Sequence, residues 1–366
     1  MSAGINTISA AQDSTTTATI AVVGDLMCHS VQYEYSRVSA DSFDFNPVYR
    51  LVKGYLSSVD FTYGNLETVT AGKDKAYSGY PRFNTPDSYI QALKNAGFNL
   101  LTTANNHALD RGEIGVLRTI KMLNKNGIHY EGTFSSQEDR DSIRIFNIKG
   151  IKVAFLAYSY GTNGNKIPKD KPYLINLIHY EQMKNDIAKA RESGSDIILV
   201  NLHYGTEYLR DPDKYEKNVV DSLKKYGADI IIGGHPHVIQ PVSYFKPDNP
   251  LLDKGFVAYS MGNFFSNQRW RYSDAGVIIT LTIEKNYVNG KINISEFNFI
   301  PTWVYKGHTY RGNEFVIIPS QYFYTTDVLN YLSHKDFSEM LQAFHDTRAI
   351  LLKYIGPGKM NTISGK

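Results

Sequence analysis

Six short apolar runs between residues 20 and 232 set the frame, because five of them stop on a residue able to hold a metal ion or move a proton. The runs cover residues 20–23, 59–63, 99–103, 153–157, 197–201 and 230–232. Beyond five of them stand Gly24-Asp25, Gly64-Asn65, Asn105-Asn106-His107, His203 and His235; the run at 153–157 has no such end. Helical stretches are expected between them over 88–96, 114–124 and 180–192, a pattern that lays helices on the faces of a sheet. Open α/β sheets hold their sites in the crevice past the carboxyl ends of the strands, so the five ends are expected to converge. Residues 277–283 and 292–294 read as a hairpin around Asn289-Gly290, suited to the second sheet of a two-sheet sandwich. Three regions follow: a flexible Ser/Thr/Ala/Gly leader over 1–18, a main domain over 19–305, and a C-terminal extension over 306–366 whose helices pack on the main domain.

Composition narrows the chemistry. Cys28 is the single cysteine, which excludes an intramolecular disulfide or a thiolate zinc cluster, so any metal is held by His, Asp, Glu and Asn. The formal charge of +3, from 39 basic and 36 acidic residues, makes no polycationic surface, and nucleic acid is not an expected partner. No run approaches the roughly 18 apolar residues of a membrane span. The leader reads either as an ordinary disordered N-terminus or as the stub of a trimmed membrane anchor.

His235-Pro236-His237 follows the last apolar run. Residues two apart in extended backbone face the same side, and Pro236 disfavours the αR region at His235. Both rings are therefore expected to enter one site from an extended segment. In Asn105-Asn106-His107-Ala108-Leu109-Asp110, Asn106 reads equally as a metal ligand and as a helix cap, while His107 suits a general acid or an electrostatic stabiliser. Two divalent cations in one pocket repel, and a bridging carboxylate offsets that repulsion; Asp25 and Glu67 are the available candidates. His107, His203, His235 and His237 lie at three strand ends, whereas His129, His179, His308, His334 and His345 read as surface or structural residues. His29, four residues past Asp25, suits either the site or a local loop.

The ordered set Gly24-Asp25, Gly64-Asn65-Leu66-Glu67, Asn105 to Asp110, His203, Gly234-His235-Pro236-His237 and Tyr259-Ser260-Met261-Gly262-Asn263-Phe264 resembles the bacterial capsule-biosynthesis CapA, or poly-γ-glutamate synthesis, family of the calcineurin-like metallophosphoesterases. The resemblance spans about 20–301. It implies a four-layer α-β-β-α sandwich of two mixed sheets with flanking helices. It also implies two divalent ions among Mn, Fe, Zn and Mg, one held by Asp25, Glu67 and His237, the other by Glu67, Asn106, His203 and His235. Asn65 is implied as a further ligand or a support and His107 as acid or electrostatic stabiliser; beside these, Asp110 is expected to act with His107, and Arg111, Glu207 and Asn263 are the candidate substrate-binding residues. The superfamily normally opens Asp-x-His, and Met27 stands at that histidine's place; the ion at His237 is therefore expected to be the weaker one. The implied role is synthesis, export or anchoring of poly-γ-glutamate or a similar anionic capsule polymer, outside the cell membrane and anchored to it in full-length form, beside membrane-bound synthase or export proteins. Cleavage or transfer of a phosphoryl or amide-linked group is the implied reaction class. A metal-dependent phosphodiesterase or phosphatase without a capsule role, and a non-catalytic polymer-binding scaffold, are the alternatives.

Overall fold

A computed structural model describes residues 14–324 and 329–355. The strands in chain order are β1 (Thr15–Leu26), β2 (Arg37–Ser39), β3 (Ser42–Phe43), β4 (Phe61–Leu66), β5 (Leu100–Thr102), β6 (His129–Glu131), β7 (Arg144–Ile148), β8 (Ile151–Ser159), β9 (Ile197–His203), β10 (Ile230–Gly234), β11 (Val242–Phe245), β12 (Gly255–Ala258), β13 (Asn263–Phe265), β14 (Ala275–Asn286), β15 (Ile292–Thr309) and β16 (Gly312–Pro319). The helices are α1 (Ser30–Tyr35), α2 (Lys53–Ser57), α3 (Ser88–Ala96), α4 (Gly112–Lys125), α5 (Gln137–Asp141), α6 (Tyr180–Glu192), α7 (Lys214–Tyr226) and α8 (His334–Leu352).

Two mixed sheets carry the molecule. The first runs β16-β15-β14-β1-β4-β5-β6, with β13 also on β1; the second runs β11-β12-β10-β9-β8-β7. Their facing surfaces interdigitate in one core: Ile20, Val22, Phe61 and Tyr63 meet Val153, Phe155, Leu199 and Ile232. Phe61 of the first sheet stacks on Phe155 of the second with ring centroids 5.1 Å apart. On the outer face of the first sheet, Leu93 of α3 and Ile120 and Leu123 of α4 cover Ala21, Val23 and Leu101. On the outer face of the second, Met183 and Ile187 of α6 and Val219 and Leu223 of α7 cover Ile198, Val200 and Ile231. The four-layer α-β-β-α sandwich expected from the sequence is thus present. Central strands buried on both faces lose the alternation of half-exposed strands; β9 and β10 are buried along their whole length and open with the apolar runs 197–200 and 230–232.

Local signals delimit the helices. In α7 the Asp213 carboxylate accepts from the backbone N–H of Glu216 at 2.8 Å, and the Glu216 carboxylate accepts from that of Asp213 at 2.7 Å, a reciprocal cap. The helix stops at Gly227, in the left-handed region at φ +99°.

Three expectations change. Thr15–Ala18, assigned to the leader, already belong to β1 and pair with Asn286 to Ile283 of β14; residues 1–13 of the leader lie outside the described residues. The β14–β15 hairpin does not found the second sheet but extends the first, because β14 pairs antiparallel with β1. The second sheet is instead opened by the β7–β8 hairpin. Residues 306–319, placed in the extension, continue β15 and form β16, while α8 packs against that end through Met340 and Ala343.

Candidate metal centre

The ligand-type residues meet where the carboxyl ends of both sheets face each other. Asp25 ends β1, Asn65 and Glu67 stand at and just past the end of β4, and Asn106 and His107 follow β5, all from the first sheet. His203 ends β9, and His235 and His237 follow β10, from the second. Two glycines allow the strands to come this close: a Cβ on Gly24 would run into the carbonyl oxygen of Gly262, and one on Gly233 into that of Tyr259. The Asp25 N–H donates to the Gly262 carbonyl at 2.9 Å, seating the carboxylate between the sheets.

Asp25, Glu67 and His237 bring one ligand atom each within 4.8 Å of one another, as do Glu67, His203 and His235. The two groups share Glu67, and each lies within one of the ligand sets that the resemblance implied, the second of which also included Asn106. Asn106 presents Oδ1 to His203 Nε2 at 2.9 Å, beside the second triad. Asn65 turns its amide nitrogen to Asp25 Oδ1 at 2.8 Å and receives the Asn105 amide on Oδ1 at 3.2 Å, so it braces the carboxylate. All these side chains are buried.

His235 and His237 do not reach the site from extended backbone. Their φ values are +94° and +57°, in the region that non-glycine residues seldom adopt. The chain leaves β10 at Gly234 and turns at once, and this bent geometry brings both rings inward. It is strain of the kind that gathers at functional sites.

Burial and mutual charge shape the protonation states. Burial opposes ionisation of Asp25, yet a hydrogen bond from His237 and the nearby His203 and His237 rings hold its carboxyl at about 2. Glu67 is pushed up to about 8 by burial and then by the Asp25 charge. Burial pushes His203 down to about 3 and His235 to about 2. His237 rises to about 9, since Glu67 and Asp25 outweigh its burial. Burial and the neighbouring Asp25 charge together resist ionisation of Glu67 even with the His237 ring beside it, and a divalent cation would relieve both. Neither oxygen of Glu67 has a hydrogen-bond donor, nor has Nδ1 of His235 a partner. The residues therefore fit divalent metal: oxygen and imidazole donors without thiolate suit Mn, Fe, Zn or Mg, and buried atoms of Glu67 and His235 are left without partners.

His107 lies at the mouth. Its Nδ1 meets Asp110 Oδ2 at 2.7 Å, while Asp110 also accepts from the Phe83 N–H at 2.7 Å, so the ring is held from behind. A cavity of about 350 Å³ in front is lined by Tyr80, Arg82, Asn106, His107, Asn163 and Glu207, among others. Of the three residues assigned to substrate, Glu207 lines this cavity. Asn263 presents Oδ1 to His237 Nδ1 at 3.1 Å, and Arg111 reaches Ser78 and the Arg82 carbonyl, so both brace the site's walls. His29 borders the site without joining either group: its Nδ1 lies 3.0 Å from Gln32 Oε1 at the start of α1, and its ring meets Phe83, which packs on His107.

Three tyrosines escaped the sequence reading. Tyr160 packs on His235 with centroids 4.6 Å apart, Tyr208 approaches His237 at 6.2 Å, and Tyr80 approaches His107 at 6.4 Å. Tyr160 directly follows β8, whose run seemed to lack a functional end. The strand-end rule applied to that sixth run would have found it, and Asn163 with it.

The family described as Bacterial capsule synthesis protein PGA_cap matches residues 19–268. Among curated relatives, the capsule biosynthesis protein CapA of Bacillus anthracis is 29% identical over 279 residues, covering 73% of this chain and 64% of the relative. The PGA biosynthesis protein CapA of Bacillus subtilis (strain 168) is 27% identical over 269 residues, covering 72% and 67%. The chain thus spans about two thirds of the length of these relatives. Among solved structures, the NAD nucleotidase NadN of Haemophilus influenzae is similar at a TM-score of 0.49 and 13% identity, over 96% of this chain and 65% of that one. The calcineurin-like phosphoesterase YfkN of Bacillus subtilis is similar at 0.40 and 14%, over 91% and 98%.

Proposed function

The chain belongs to the bacterial capsule synthesis protein PGA_cap family, and from that premise we propose that it is a divalent-metal-dependent hydrolase or transferase acting on poly-γ-glutamate or a similar anionic capsule polymer. One observation carries the reading: a buried Asp/Glu/Asn/His cluster, inside the matched segment, in which the shared Glu67 carboxylate has no donor on either oxygen. Asp25, Glu67 and His237 would hold one ion, and Glu67, Asn106, His203 and His235 a second. Bound there, two divalent cations polarise a phosphoryl or acyl oxygen and stabilise the charge that develops on it.

The chain's own groups do the rest. Asp110 fixes the His107 ring through Nδ1, leaving Nε2 toward the cavity, where it is placed to hand a proton to a leaving oxygen or nitrogen. Asn163 approaches that Nε2 at 3.5 Å and helps keep the ring's orientation. Arg82 at the rim offers a cation to an anionic chain. Tyr160 shields the His235 side of the cluster from water. The role proposed is extracytoplasmic, in synthesis, export or anchoring of the polymer beside membrane-bound synthase or export proteins. Among the described residues no helix is long and apolar enough to cross a membrane.

The chain loaded with Mn²⁺ is to be assayed on bis-p-nitrophenyl phosphate and on poly-γ-glutamate. Turnover of at least one is expected, with a loss of roughly 100-fold or more in both His107→Ala and His235→Ala. Cleavage of the polymer supports the capsule role, and activity confined to the phosphodiester favours a plain phosphodiesterase. Absence of both bound metal and turnover would reject the catalytic reading in favour of a scaffold.

A further inference from the structure

Met27 occupies the place of the histidine that completes the Asp-x-His opening, and it is buried with its sulfur 3.6 Å from the Ser266 hydroxyl. A thioether is a poor donor for the hard cations this oxygen-rich cluster suits. The side of the cluster nearest His237 therefore keeps Asp25 from β1 but gains no second donor from the residues that follow it. On the solvent side of the same cluster, the Glu207 carboxylate and one ring nitrogen each of His235 and His237 lie within 4.8 Å of one another. His235, 4% exposed, carries an unpartnered Nδ1.

The loop that presents Glu207 is tied to the histidine segment it faces. The Tyr208 N–H donates to the carbonyl of Pro236, between the two histidines, at 2.8 Å. Gln240 holds the Leu209 carbonyl at 3.0 Å, and the Thr206 hydroxyl donates to Asp213 at 2.8 Å. The carboxylate is thus carried on a braced turn.

We propose that Glu207 is a metal ligand, not a substrate-binding residue: it supplies from the second sheet the donor that Met27 removes from the first. The inference rests on the metal reading above. Two carboxylates, Asp25 and Glu67, leave a pair of dications with a surplus of two positive charges; a third lowers that surplus to one, and ligand charge is a main determinant of affinity in oxygen-rich sites. Because Glu207 also lines the cavity with Asn106 and His107, it occupies the side of the cluster from which a substrate oxygen arrives, and the two would compete for one coordination place.

The test titrates Mn²⁺ into the metal-stripped full chain, followed by calorimetry and by loss of the free-ion electron paramagnetic resonance signal. Glu207→Gln is expected to weaken one class of Mn²⁺ site about tenfold or more, while the melting temperature of the stripped chain stays at the wild-type value. Glu207→Asp should recover part of the affinity. His235→Ala reports on the cluster itself. If wild type and Glu207→Gln bind Mn²⁺ with equal number and affinity while His235→Ala binds less, the Glu207 assignment is overturned and the metal reading stands. If the wild-type chain takes up no Mn²⁺, both fail.

Discussion

His235 and His237 carry their rings on backbone that an L-residue enters only at a cost of about 1–2 kcal/mol. A substitution that keeps the turn but abolishes the ligand separates that cost from its purpose. His235→Asn suits the test, since asparagine tolerates positive φ better than most residues and no longer strands Nδ1. Truncating a large buried side chain ordinarily costs about 2 kcal/mol or more. Here urea denaturation of the metal-free chain is expected to show little or no loss, while Mn²⁺ uptake falls away. A loss of the ordinary size would mean that the turn is unstrained. Which side chains gather at the candidate centre could be read from the sequence because His, Asp, Asn and Glu recur at strand ends, but their conformations could not. Pro236 argues against the αR region at His235, which leaves both extended and left-handed backbone open. The tertiary bonds that hold the turn, from the Met261 N–H to the Gly233 carbonyl at 3.0 Å and from the Tyr208 N–H to that of Pro236 at 2.8 Å, join segments far apart in sequence.

Elements with strong local signals were legible to the residue: α3 and α6 begin and end where the apolar spacing indicated, and the β14–β15 hairpin turns near Asn289-Gly290 as expected. Partnership between strands was not. An apolar run states that a strand is buried, not which neighbour buries it, and so β14 was assigned to the sheet it faces instead of the one it extends. The contact of β1 with β13 was invisible for the same reason, although Gly24 marked it. Gly24→Ala would force the new methyl into the Gly262 carbonyl, where two backbones, and no flexible side chain, must give way. A destabilisation of about 3 kcal/mol, the upper end for overpacking, is expected in urea denaturation. Mn²⁺ affinity should fall with it, because Asp25 is the next residue.

The resemblance to a known family made the four-layer plan of the whole molecule legible, whereas ionic ties between its sheets were not. Glu131, at the end of β6 on the edge of the first sheet, meets Arg144, at the start of β7 on the edge of the second, at 3.2 Å. Burial pushes the Glu131 carboxyl up from 4.5 to about 7, with Arg144 pulling the other way. Between those two values the folded chain holds a proton that the unfolded chain has released, so this group's contribution to stability declines as pH rises from about 4.5 to about 7 and is level above. The urea midpoint of Glu131→Gln, compared with wild type across that window, should show a shallower decline; equal slopes would remove Glu131 as the cause. The candidate metal centre lies on the same junction, with Asp25, Glu67 and Asn106 from one sheet and His203, His235 and His237 from the other. For the ions proposed there, the sandwich would act in coordination-chemistry language as a single chelator, its bite set by how the two sheets nest, with Phe61 stacked on Phe155 between them. Selection among ions of different radius would then be exerted through hydrophobic side chains outside the donor set.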